Sequence, residues 1–110
     1  MPRLMLLLLL LATLTAAGSA PAADFETTLA IRDHKFDPPE LDVPAGAKIK
    51  LTVQNQDATP EEFESTDLNR EKVVVGKGTV IVLLGPLEAG KYHFFGDFHQ
   101  ETAQGDLIAK

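Results

Sequence analysis

The stretch Lys91-Tyr92-His93-Phe94-Phe95-Gly96-Asp97-Phe98-His99 holds two of the chain's three histidines; His34 is the third. Imidazole nitrogens beside carboxylates are the donors that Fe²⁺, Fe³⁺, Cu²⁺, Zn²⁺ and Mn²⁺ accept. The acids nearest in type and spacing are Asp97 and Glu101 around His99, and the run Glu61, Glu62, Glu64. Softer donors are missing: there is no cysteine, and both methionines, Met1 and Met5, lie at the N-terminus. Any metal must therefore take His, carboxylate, backbone carbonyl or water, because thiolate and thioether are what soft metals select. Nucleophilic catalysis has no comparable constellation. Ser19 and Ser65 are the only serines, and no nucleophile-elbow sequence surrounds Ser65. Gly76-Lys77-Gly78 reads as a hairpin turn and not as a phosphate loop.

The elements that must position these residues read as strands. Lys48 to Val53 alternates with period two, putting Ile49, Leu51 and Val53 on one face. Thr27–Asp33, Leu41–Val43, a short strand around Phe63, Val73–Val75, Thr79–Leu84, Lys91–Phe95 and Asp106–Ala109 complete the set. Pro44-Ala45-Gly46, Gly76-Lys77-Gly78 and Gly85 to Gly90 read as turns, and Gln54 to Pro60 as a polar loop. Ser65 to Lys72 reads as irregular, with room for one helical turn from Asp67; Arg70 there could pair with one of the glutamates. Six to eight short strands with Gly/Pro turns predict an all-β, two-sheet sandwich. On the last long strand, Tyr92 and Phe94 facing the core would turn position 96 inward and His93 outward. His93 is then a sheet-face residue, or part of a second exposed site with neighbouring acids. Glu61 shares parity with Phe63, and Glu62 with Glu64.

Arg3, the apolar run Leu4 to Ala12 and the small residues that follow have the order of a secretory signal. The run is short of the roughly 20 residues a membrane span needs. Ala20-Pro21-Ala22 fits a cleavage pattern, with the cut after Ala22; cuts after Ala20 or Ala23 also fit. The expected organisation is a signal over residues 1–22, one domain over 23–110, periplasmic location and no membrane span after cleavage. All 16 acids lie beyond Ala22, against 10 basic residues in the whole chain, for a formal charge of −6. Such a surface disfavours nucleic acid and anionic membranes and suits cations.

The ordered set Phe36-Asp37-Pro38, Val43-Pro44-Ala45-Gly46, Val53-Gln54-Asn55 and Leu87 to Tyr92, then a loop with His99 and Gly105, resembles the cupredoxin fold. More narrowly, Pro60 to Ser65, Arg70-Glu71-Lys72 and Phe94 to His99 resemble the EfeO-type cupredoxin-like proteins, which accompany bacterial iron permeases. The resemblance implies a Greek-key β-sandwich. It also implies partnership with a membrane iron permease or a periplasmic iron-binding protein. A blue-copper member would have His near 61, Cys at 96, His at 99 and Met near 102. This chain has Glu61, Gly96, His99 and Thr102. Type 1 blue copper is therefore excluded, and with it fast electron transfer.

The resulting expectation is a non-blue site for iron or copper. It is built on His99 with Glu61 or Glu62, plus Asp97 or Glu101, and His34 could line the same end. Strand parity favours Glu61 and the family register favours Glu62. The expected role is metal carriage in ferrous or ferric iron uptake, with assistance to Fe²⁺ oxidation as a further option. The alternatives are a copper or zinc chaperone, or a metal-free module that docks a transporter.

Overall fold

The computed structural model describes residues 23–110, so the signal segment expected over residues 1–22 lies outside it. Nine strands form in chain order: β1 (Phe25–Arg32), β2 (Lys35–Asp37), β3 (Glu40–Val43), β4 (Ile49–Asn55), β5 (Glu61–Ser65), β6 (Arg70–Val74), β7 (Thr79–Leu84), β8 (Gly90–Gly96) and β9 (Gln104–Ala109). A 3-10 turn, Asp97–His99, separates β8 from β9. One sheet has the order β2-β1-β4-β7 and the other β3-β9-β8-β5-β6. The two pack face to face as the predicted all-β sandwich.

The core follows from the period-two alternation. Leu29 and Ile31 of β1, Ile49, Leu51 and Val53 of β4, and Val82 and Leu84 of β7 face inward from the first sheet. Leu41, Val43, Phe63, Val74, Phe94, Leu107 and Ala109 meet them from the second. Phe36, Phe63 and Phe94 form an aromatic cluster, with ring centroids 5.0 Å apart for Phe36–Phe94 and 5.4 Å for Phe63–Phe94. Such pairs contribute roughly 0.5–1.5 kcal/mol each beyond the area they bury.

Three local readings are corrected. Residues 35–37, absent from the expected strands, form β2 in a hairpin with β1. Arg70 to Lys72, read as irregular, begin β6, because Ser65–Arg70 closes an antiparallel ladder with β5. Arg70 makes no glutamate pair; its Nε donates to Leu83 O at 3.0 Å and its Nη1 to Asn69 O at 2.9 Å. Asn55, read as loop, is the buried last residue of β4. Its Nδ2 donates to Thr59 O at 2.8 Å and its Oδ1 accepts from Asp57 N at 3.0 Å, which shapes the loop leading into β5.

Candidate metal centre

Strand β5 divides the candidate residues between two sides of one sheet. Glu61, Phe63 and Ser65 point into the sandwich, whereas Glu62 and Glu64 stand on the outer face. Phe63 pairs with Gly96 and Glu64 with Phe95, so the register carried one step on sets Glu62 against Asp97.

On the inner side, Glu61 is 1% exposed and fully engaged. Its Oε2 accepts the Nδ1–H of His99 at 2.5 Å, and its Oε1 accepts the N–H of Phe98 at 2.9 Å and of Glu62 at 3.0 Å. A buried charge needs this degree of pairing, since an unpaired one is strongly destabilising. Gly96 makes the arrangement fit. A Cβ at this position would lie 2.6 Å from the Ala103 Cβ and 2.7 Å from the Glu61 carboxyl carbon. The space where a side chain at 96 would begin is therefore filled by Glu61 and Ala103.

His34 meets His99 from a different strand pair. Asp33 and His34 both have positive φ, 53° and 55°, as a two-residue hairpin turn with the twist of its strands requires. Asp57 holds that turn: its Oδ1 accepts from Asp33 N at 2.8 Å and its Oδ2 from His34 N at 3.0 Å. Burial pushes the Asp57 carboxyl up, but these backbone donors outweigh it and hold it below its usual range. The His34 ring then stacks on His99, centroids 3.6 Å apart and planes 12° from parallel. Both line an open cavity of about 510 Å³ with Asp97, Phe98, Gln100, Glu101 and Thr102.

On the outer side, one oxygen each of Glu62, Glu64 and Asp97 lie within 4.8 Å of one another. Among the described residues no Lys, Arg or His forms an ion pair with them. Glu62 is only 9% exposed. Its carboxyl is pushed up to about 7, chiefly by a hydrogen bond with Glu71, then by burial and by the charges of Glu71, Asp97 and Glu64. A carboxyl that keeps its proton to this point marks an excess of negative charge, which a bound cation would relieve.

The structure thus divides the sequence-derived set. His99, Glu61 and His34 meet at the inner end of the sandwich, with Glu101 on the rim of their cavity. Glu62 and Asp97 meet on the outer face. Glu64 completes the outer group; the sequence reading set it on the same face as Glu62 but left it out of the expected ligand set. Glu71, opposite Glu64 on β6, depended on a pairing that the sequence reading did not contain. Ser65 is no nucleophile: buried, it donates to His93 O at 2.6 Å and accepts from Leu68 N at 3.0 Å.

The chain matches the sequence profile of the cupredoxin-like domain over residues 4–109. It belongs to the cupredoxin-like family. An uncharacterized protein of Rickettsia prowazekii (strain Madrid E) is 52% identical over 83 residues, 76% of this chain. This cupredoxin-like chain spans 66% of that relative's length. Among solved structures it is similar to auracyanin A, a "blue" copper protein of Chloroflexus aurantiacus, with TM-score 0.67 and 18% identity over 77% of this chain and 98% of that one. It is also similar to the purple cupredoxin of Nitrosopumilus maritimus, with TM-score 0.60 and 18% identity over 76% and 98% of the two chains. At these identities the likeness is one of fold.

A sulfur-ligated copper centre does not fit this cupredoxin-like protein. It has no cysteine, so no type 1 blue copper site. Gly96 lacks even the Cβ from which a ligand could extend, and Glu61 occupies that space. Among the described residues no helix is long and apolar enough to cross a membrane.

Proposed function

We propose that this chain is a periplasmic metal carrier that holds a hard cation, iron foremost, at Glu62, Glu64 and Asp97. It would pass the ion to a membrane permease or to an iron-binding protein beside it. The observation that carries the reading is the convergence of three carboxylates within 4.8 Å with no basic side chain against them. Oxygen-only donors suit hard cations, and three carboxylates leave coordination positions for water or for a receiving ligand. The site lies on a sheet face and not in the core, which favours exchange over permanent retention. The EfeO-like motifs and the secretory pattern of residues 1–22 support the iron and periplasmic parts of the reading. Carboxylates favour Fe³⁺ over Fe²⁺, so the same site would assist oxidation only as a consequence of holding the product.

Isothermal titration of the metal-free protein with Mn²⁺, and with Fe²⁺ under nitrogen, tests this. Binding tighter than about 1 mM, roughly −4 kcal/mol, is expected. It should weaken as pH falls through about 7, where Glu62 takes up its proton. Glu62→Gln combined with Asp97→Asn should cost at least about tenfold, or ~1.4 kcal/mol. No binding, or binding indifferent to that double change, overturns the proposal.

A further inference from the structure

Independently of the carboxylate cluster, we propose that His99 and His34 form a second, separate site for a borderline divalent cation of the Zn²⁺ or Cu²⁺ class. The argument begins with Glu61. Its carboxylate takes the Nδ1–H of His99, which fixes the ring's tautomer and leaves Nε2 as the free lone pair. Glu61 is itself held by two backbone N–H groups, so it orients His99 without being available as a ligand. A carboxylate behind an imidazole in this way is the arrangement that aims histidines at metals and raises their donor strength. Nε2 of His99 has no hydrogen-bond partner among the described residues, and no buried side-chain nitrogen or oxygen there lacks one. The free nitrogen is therefore open to solvent, on the side of the 510 Å³ cavity.

His34 supplies the second nitrogen. Its backbone is clamped from both sides: Asp57 accepts its N–H at 3.0 Å, and Thr102 Oγ1 donates to its carbonyl at 2.6 Å. Its ring is held more loosely, by the stack on His99 and a 3.4 Å contact from Nε2 to Thr59 Oγ1. In parallel rings the lone pairs run side by side. A shared ion therefore requires the His34 ring to tilt out of the stack, giving up the stacking on His99 and the long contact to Thr59 while its backbone clamps stay in place. Glu101, on the same cavity wall, offers oxygen to complete the shell with water. Two imidazoles with few oxygens select Zn²⁺, Cu²⁺ or Ni²⁺ over Mn²⁺ and Fe²⁺. The ion enters from the cavity, because the inward path is closed by Glu61 and Ala103.

Zn²⁺ and Cu²⁺ titrations of the full chain, read by imidazole NMR and by Cu²⁺ electron paramagnetic resonance, test the site. Zn²⁺ should shift the ring signals of both His34 and His99, and the Cu²⁺ spectrum should carry splitting from two nitrogens. His34→Gln, at a turn whose clamps are backbone contacts, should weaken Zn²⁺ about tenfold or more. Glu62→Gln with Glu64→Gln should leave Zn²⁺ affinity unchanged, which separates failure here from failure of the carboxylate proposal. Zn²⁺ binding that is absent, unaffected by both His34→Gln and His99→Ala, or lost instead in His93→Gln overturns the proposal.

Discussion

His93 is the histidine that takes no part in either group. Its Nδ1 lies 2.9 Å from Asp106 Oδ1 and its Nε2 2.5 Å from Gln104 Oε1. Gln104 Nε2 donates to Gln100 O at 2.6 Å, which keeps its oxygen turned to the ring. With an acceptor at each nitrogen, the imidazolium is the favoured form. The Asp106 hydrogen bond raises His93 above its ordinary 6.5, and the same bond lowers Asp106 below its ordinary 3.8. The stability drawn from His93 is complete below pH 6.5 and is lost as pH rises through its folded value. That drawn from Asp106 is complete above pH 3.8 and is lost as pH falls through its folded value. Both are present between 3.8 and 6.5. An NMR titration should find the His93 midpoint above 6.5, and Asp106→Asn should return it toward that value. A midpoint unmoved by the substitution would mean that the pair does not set it.

At the scale of elements, the hinge of the site is the ladder between β5 and β8. Gly96→Ala forces a methyl group against Ala103 and the Glu61 carboxyl. Overpacking of this kind costs typically 1–3 kcal/mol. Chemical denaturation should show a loss in that range, and the His99 ring signals should shift because Glu61 is displaced. An unchanged midpoint would show that the inner pocket has room to spare. Gly105 has a different neighbour: a Cβ there would run into the Phe94 ring. These two glycines explain why the strand parity of β8 was legible in advance while the contents of the pocket were not. Alternation alone set Phe94 and Gly96 inward and His93 outward, as observed. It also sent Glu61 toward Gly96. What alternation cannot express is cross-strand register, and register is what brings Asp97 to Glu62 and Glu71 to Glu64. The stack of His34 on His99 was hidden for a related reason. It depends on a hairpin turn with two positive-φ residues, neither of them glycine, held by Asp57 across 24 residues of sequence.

Over the whole molecule, acids exceed bases by six, and the chain has no disulfide to hold it. An ion that binds only the folded state should therefore be visible as stability. At a free concentration of 100 times Kd, one site adds about 2.7 kcal/mol. For a domain of this size that corresponds to a rise in Tm of roughly 10–20 °C. Calorimetry with Mn²⁺, and separately with Zn²⁺, should show such rises, additive because the two sites share no ligand; a saturating ion without effect on Tm would mean that it binds the unfolded chain equally well. The contact between Glu61 and Gly96 also bears on how this molecule can change. A cysteine installed at 96 would first meet a carboxyl group 2.7 Å from its Cβ, and removing Glu61 first would strand two backbone N–H groups and His99. Each single step toward a sulfur centre is destabilising, so the Glu61–Gly96 contact stands against building one here.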